Sequence, residues 1–195
     1  MGHKKIEIAT IIGIFVLGSQ SVALGASSVS SSEAKRVKFL VALAHRESTD
    51  DKTVINPFGY VGLFQMGGDA LVDAQFYQLG PARNHNAWDG KITSRAAFVD
   101  VKSLQDYRNS AGAQELAVRA YHDVQWERLV RLGGSAAAET VISGINVTQS
   151  GLIAGAHLVG VGGVLRWVRS QGADDPLDGN QVPVSDYVQE FSPFY

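Results

Sequence analysis

The chain has 195 residues, of which 45% are hydrophobic and 18% charged, with a formal charge of −2 and no cysteine. That length supports one domain with its own core, and the composition excludes a disordered chain. The near-neutral charge excludes a basic phosphate-binding face, so no nucleic-acid partner is expected. Without cysteine, disulfides and thiolate metal sites are both excluded.

His3-Lys4-Lys5 is a short basic region, Ile8 to Leu17 an apolar stretch, and Ser21 to Ala26 a run of small or apolar residues. This order reads as a secretory signal peptide over residues 1–26, with cleavage after Gly25 or Ala26. The alternative is an uncleaved anchor, because Ile8 to Leu24 approaches a spanning length of roughly 20 residues. Cleavage removes Lys4, Lys5 and Glu7, leaving a charge of −3 and no expected membrane span. An exported chain without disulfides fits a bacterial envelope, so the expected location is periplasmic or secreted.

Residues 27–32 form a serine-rich linker, and the expected domain covers residues 33–195. Ser30 and Glu33 have the spacing of a capping box, which predicts a helix running through Ala34 to about Ser48. Val37, Leu40, Ala44 and Glu47 fall on one stripe of that helix and turn Glu47 inward. A carboxyl held against apolar neighbours favours its neutral form, which is the state a general acid needs. The polar break Thr49-Asp50-Asp51-Lys52 ends the helix, Val54-Ile55 suits a short strand, and Asn56-Pro57 enforces a turn or extended geometry. Gly59 and Gly62 permit positive φ or close approach of a ligand.

From Asp69 to Leu79 the spacing predicts a second helix, closed by Gly80-Pro81. Residues 83–92 read as a polar loop around Trp88, which either stacks on a sugar or folds over the core edge. A helix between Ser110 and Leu132 follows, with Ala113, Leu116, Ala117, Ala120, Val124 and Leu129 as its apolar stripe and Gly133-Gly134 as its end. Tyr121 shares the inward side and either reaches a cleft beside Glu47 or is a core residue with a satisfied hydroxyl.

The run from Ser150 to Leu165 is too short for a membrane span and contains His157. Gly160-Val-Gly162-Gly163 lacks the third glycine of a nucleotide loop, and no Gly-Lys-Ser/Thr follows. A buried helix remains, in which Gly151, Ala154, Gly155 and Ala156 admit another helix and Gly162-Gly163 bends or ends it. His157 is a hydrogen-bonded core residue or a substrate contact. The tail turns through Asp174-Asp175-Pro176 and Asp178-Gly179-Asn180, without the order of a calcium loop, and ends in a helix over 184–191. Neither a metal nor a cofactor is expected.

Glu47-Ser48 followed by Gly59-Tyr60-Val61-Gly62-Leu63-Phe64-Gln65 resembles the Glu-Ser and Gly-Leu-Met-Gln signature of soluble lytic transglycosylases and goose-type lysozymes. Direct coverage is residues 45–67. The resemblance implies a mainly α, lysozyme-like helical domain with a small loop and β element and a C-terminal helical extension. Its implied partner is peptidoglycan, cut at the β-1,4 bond between N-acetylmuramic acid and N-acetylglucosamine. Glu47 is then the general acid, and Ser48, Tyr60, Gln65 and Tyr121 line the cleft. Two departures stand: Phe64 replaces the usual methionine, and Ala120-Tyr121-His122-Asp123-Val124 only echoes the family's Ala-Tyr-Asn-Ala-Gly.

Glycosidic cleavage ordinarily uses two carboxylates. Only Glu47 is well placed, with Asp50, Asp51 and Asp69 as candidates for a second. If none serves, the muramic acid 6-hydroxyl is the nucleophile and a 1,6-anhydro product results, so a transglycosylase is expected ahead of a hydrolase. The competing class is a non-catalytic wall-binding or scaffold protein that keeps the fold.

Overall fold

In the computed structural model, which describes residues 30–195, helix α1 spans Ser31–Ser48. The expected signal peptide and residues 27–29 of the serine linker lie outside the described residues. Ser30 Oγ accepts from the Glu33 amide at 3.2 Å, and left-handed Thr49 ends the helix. The buried face is Phe39, Leu40, Leu43 and Ala44, and Glu47 lies half-buried one turn on. Phe39 meets His122, Phe191, Phe194 and Tyr195 edge-on at 5.4–5.9 Å, so α1 packs on residues 191–195.

Val54-Ile55 forms no strand; Ile55 makes one isolated bridge to Val61, which pairs with Met66. Helix α2 is Gly68–Asp73, much shorter than the expected 69–79. Gln75 turns left-handed at φ 62, buried Phe76 forms a bend, and buried Tyr77 then enters a strand, the geometry aromatic residues favour. Strand β1 (Tyr77–Gln78) pairs antiparallel with β2 (Lys91–Ile92). The intervening loop is therefore the arm of a hairpin and carries a short 3-10 turn at His85–Ala87.

After α3 (Ser94–Ala97) and α4 (Leu104–Asn109) comes α5 (Ala111–Arg131), whose Ser110 cap accepts from the Ala113 amide. Of the expected stripe Ala113, Ala117, Ala120 and Leu129 are buried, but Leu116 is 48% exposed, and Gln114, His122 and Gln125 are buried as well. Those polar residues enter the core because each has hydrogen-bond partners there. Arg128 grips Asp73 through both nitrogens, with 2.6 Å from Nη2 to Oδ1, and fastens α2 to α5. A hairpin of β3 (Val141–Ile142) and β4 (Ile145–Asn146) follows, turned by Ser143 and Gly144, both at positive φ as such a tight turn requires.

Helix α6 (Gln149–Arg169) is two helices meeting at Gly160, whose φ 72 and ψ 166 are accessible essentially to glycine alone. The expected break at Gly162-Gly163 is displaced. Gly163 stays helical, and a Cβ there would come within 2.5 Å of Val159 Cγ2. Helix α7 (Val184–Phe191) lies against the small residues of α6: a Cβ on Gly151 would sit 2.7 Å from the Val188 carbonyl oxygen, and one on Gly155 2.9 Å from Val184 Cγ2. Among the described residues α6 is the helix long and apolar enough to cross a membrane, yet 61% of that window is buried inside the fold.

Two buried clusters result. One joins α1, residues 61–66, α2, α5 and Phe191; the other joins Leu129, Ile142, Leu152, Val164, Trp167, Val184 and Val188. The described chain is mainly α with two small hairpins. Helices α6 and α7 contribute to both clusters and so fix the tail against α1.

Candidate functional site

Where α1 ends, an open cleft of about 740 Å³ is lined by Glu47, Gln65, Tyr60 and Tyr121 together. Part of the lining comes from residues 56–70 and the loop 83–86. The rest comes from His157 to Gly160, Arg166 and residues 176–180. Tyr121 of α5 thus shares one cavity with three residues from the stretch 47–65.

Glu47 reaches the cleft from the last turn of α1. Its Oε1 accepts from the Tyr187 hydroxyl at 2.7 Å, and Oε2 has no partner among the described residues. Burial, and then the charge of Glu47, raise the Tyr187 pKa, so this phenol stays a proton donor to the carboxylate. The Arg46 guanidinium lies 5.3 Å from the Tyr187 ring centroid and 3.5 Å from Glu190, holding α1 and α7 side by side.

The return loop is fastened from three directions. Gly62, at φ 76, leaves only enough room for Gln114: a Cβ would approach its Oε1 to 2.4 Å. Gln114 accepts from the Leu63 amide at 2.7 Å and donates to the carbonyls of Lys52, Tyr107 and Arg108, which satisfies both ends of a fully buried amide. His157 Nε2 lies 2.9 Å from the Phe64 carbonyl oxygen, which can only accept, so that nitrogen carries the proton. His157 Nδ1 then accepts from His122 Nε2 at 3.1 Å. Burial first, and His157 next, hold His122 far below the usual histidine pKa, so the pair is neutral at its inner end.

The third fastening is Ser48. Its hydroxyl donates towards the carbonyls of Ala44 and Leu63, at 3.1 and 3.0 Å, and the residue is not among those lining the cleft. Its role in this geometry is to tie the helix end to the loop. Gln65 is held at φ 43 with Nε2 donating to the Gly62 carbonyl at 2.8 Å, leaving Oε1 without a partner among the described residues. Tyr121 is 8% exposed, and burial raises its pKa.

Of the three further carboxylates, only Asp69 lines the cleft, and its Oδ1 is 2.7 Å from His85 Nδ1. Asp50 pairs with His45 at 3.0 Å. Asp51 accepts from the hydroxyl and amide of Thr53, which lower its pKa.

Asn56 Oδ1 accepts from the amides of Phe58 and Tyr60, curling the loop so that both aromatics line the cleft while 51% and 40% exposed. Trp88 is partly buried against the core and donates its indole N–H to the Gly59 carbonyl at 2.8 Å. It braces the loop from behind and is not among the cleft-lining residues. Asn86 braces it as well, donating to the Phe58 carbonyl and accepting from the Gly68 amide.

Tyr187, Phe58, Arg83, His85, Arg166 and Asn180 belong to the site without having been singled out from the sequence as site residues. For Tyr187 the one available signal was a hydroxyl on an otherwise apolar helix face. No protein-family model, curated protein or solved structure matches the chain.

Proposed function

We propose that this chain is an exported lysozyme-like protein that cleaves the β-1,4 bond between N-acetylmuramic acid and N-acetylglucosamine in peptidoglycan, as a lytic transglycosylase. The observation that carries the reading is Glu47 at the end of α1, in one cleft with Tyr60, Gln65 and Tyr121, with one carboxyl oxygen fixed by the Tyr187 hydroxyl and the other without a partner among the described residues. Asp69 is engaged by His85, and Asp178 accepts from the amides of Asn180 and Val182.

In this mechanism a proton on Glu47 Oε2 passes to the glycosidic oxygen as the C1–O bond breaks, leaving an oxocarbenium-like ring. Glu47, now a carboxylate, takes the proton of the muramic acid 6-hydroxyl as that oxygen bonds to C1. The products are the released chain with a new hydroxyl and a 1,6-anhydro end, with no water consumed. The Tyr187 hydroxyl holds the Glu47 carboxyl in one orientation through both halves of the cycle. Phe58 and Tyr60 offer apolar faces to sugar rings, and Gln65, Asn56 and Asn180 offer amides to hydroxyl and acetamido groups.

One observation favours hydrolysis as the second reading: Asp69 shares the cleft with Glu47. If the His85 contact opens, Asp69 can activate water in the manner of a two-carboxylate glycosidase.

The test compares the mature chain with Glu47→Gln on purified sacculi, following both turbidity and co-sedimentation. The reading predicts lysis by the wild type, none by the variant, and equal co-sedimentation. Binding without lysis by either protein moves the chain to the wall-binding class.

A further inference from the structure

The peptide plane joining Phe64 to Gln65 is held at both of its polar ends. The Gln65 amide donates to the Gly62 carbonyl at 3.2 Å, and the Phe64 carbonyl accepts from His157 Nε2 at 2.9 Å. Gln114 and Ser48 fasten the preceding residue, Leu63, by its amide and its carbonyl. At the Phe64 carbonyl His157 therefore acts alone among the described residues. Gln65 sits at φ 43, a left-handed conformation that a side-chain-bearing residue keeps only where its surroundings impose it, and from there it lines the cleft. A turn of this plane would release that conformation and re-aim the Gln65 side chain.

His157 can hold the plane in one tautomer only. A neutral imidazole carries a single ring proton: on Nε2 it bonds the Phe64 carbonyl, and on Nδ1 it leaves two lone pairs facing each other. His122 Nε2 lies 3.1 Å from His157 Nδ1, and the proton it donates occupies the Nδ1 lone pair. His122 is itself fixed, being 2% exposed and edge-on to the Phe39 ring of α1 at 5.6 Å. It stands third in Ala120-Tyr121-His122-Asp123-Val124, the segment in which the chain departs from the family it resembles. It is not among the residues lining the cleft, so its route to a ligand runs through His157, the Phe64 carbonyl and Gln65.

We infer that His122 is a positioning residue: by fixing the tautomer of His157 it locks the peptide between Phe64 and Gln65 and so aims the Gln65 side chain at the substrate. This rests on the peptidoglycan reading above for what Gln65 meets, and adds to it a buried residue that touches no substrate. The logic is that of an outer hydrogen bond that sets which nitrogen of a metal-bound histidine carries the proton, here with a peptide carbonyl as the group held.

The first measurement needs no variant. Long-range proton–nitrogen NMR spectra of the isotope-labelled mature chain, at a pH where the rings are neutral, distinguish a protonated ring nitrogen from a bare one. Protonated Nε2 and bare Nδ1 on His157 are the expected result; a protonated Nδ1, or shifts averaged between two tautomers, overturns the proposal. His122→Leu removes the donor and should give averaged shifts for His157, whereas His122→Gln, whose amide can donate, should keep the single tautomer. His122→Met is the second donor-free variant should the leucine chain not fold.

Turnover of soluble glycan strands then separates positioning from packing. In His122→Leu kcat/KM should fall about 10- to 100-fold, the cost of misplacing one contact, and in His122→Gln it should return to within about threefold of the wild type. Added to Gln65→Ala, His122→Leu should cost no more than about twofold, because the two residues act as a unit. An equal loss in both backgrounds overturns the proposal, as does an equal loss in the leucine and glutamine variants. A wild type that binds the strands without cutting them fails the enzyme reading alone. The same cycle is then read in affinity for the strands, where additive losses again overturn the positioning role and non-additive losses uphold it.

Discussion

Tyr187 and Glu47 stand 140 positions apart in sequence and 2.7 Å apart in space, the tail hydroxyl donating to the carboxylate at the end of the first described helix. The tail is thereby part of the site. Removing only the hydroxyl, as Tyr187→Phe, keeps the ring that packs on Phe191 and under Arg46. Lysis of sacculi should fall about 10- to 100-fold, because a freed carboxyl samples unproductive orientations. Thermal unfolding should move by no more than about 1 kcal/mol, the net worth of one hydrogen bond. Unchanged lysis would remove Tyr187 from the site.

Gln114 gives the second prediction. It is fully buried and joins the return loop, residue Lys52 and the end of α4 to α5. Gln114→Ala strands the Leu63 amide and several carbonyls, each unsatisfied group costing about 1–3 kcal/mol. Urea unfolding should report a loss of about 2–4 kcal/mol. Gly62→Ala should act on the same junction, adding a left-handed backbone penalty of about 1–2 kcal/mol to a collision with the Gln114 amide.

The kink at Gly160 is separable from packing. A Cβ there meets nothing within 4 Å, so Gly160→Ala carries only the conformational cost of φ 72 and ψ 166. That cost is about 1–3 kcal/mol. Denaturant unfolding with an unchanged m-value and a loss in that range is the expected outcome, and a neutral substitution would mean that α6 can straighten.

Stability should fall at both ends of the pH scale, for opposite reasons. His122 is held neutral by burial, so the unfolded chain binds an extra proton once pH drops below about 6.5 and the fold loses stability there. His122→Gln retains a donor for His157 and should flatten that acid limb. Burial raises the pKa of Tyr107, Tyr121, Tyr187 and Tyr195 above the usual value near 10. Above that pH the unfolded chain ionises these phenols and the folded chain does not, so stability present below about 10 is lost as pH rises. Urea midpoints from pH 5 to 11 measure both limbs.

Local rules carried α1 well, because a Ser cap, an apolar stripe and a polar stop all lie within one short window. They carried the small residues of α6 as well, since only close helix packing explains Gly151 and Gly155. Local rules failed at α2, where the helical spacing of 69–79 competed with the extended preference of Phe76 and Tyr77 and with a partner strand at Lys91–Ile92. On α5 they found the helix and Ala113, Ala117, Ala120 and Leu129 of its stripe but missed Gln114 and His122, which count as polar in any periodicity yet are buried by partners on other elements. At the site, the Glu47 and Gln65 pairing was legible from a motif spanning residues 45–67. Tyr187, Arg83 and Arg166 were not, because they enter through the tertiary placement of the tail, the hairpin arm and the part of α6 beyond Gly160.

The most direct test of the central claim is mass spectrometry of the soluble muropeptides released when residues 27–195 digest purified sacculi. The account predicts fragments ending in 1,6-anhydromuramic acid, absent from the Glu47→Gln digest. Fragments with reducing ends, heavier by one water, would contradict the transglycosylase reading, and loss of those fragments in Asp69→Asn would then make Asp69 the second carboxylate. Release of nothing would contradict the enzyme assignment itself.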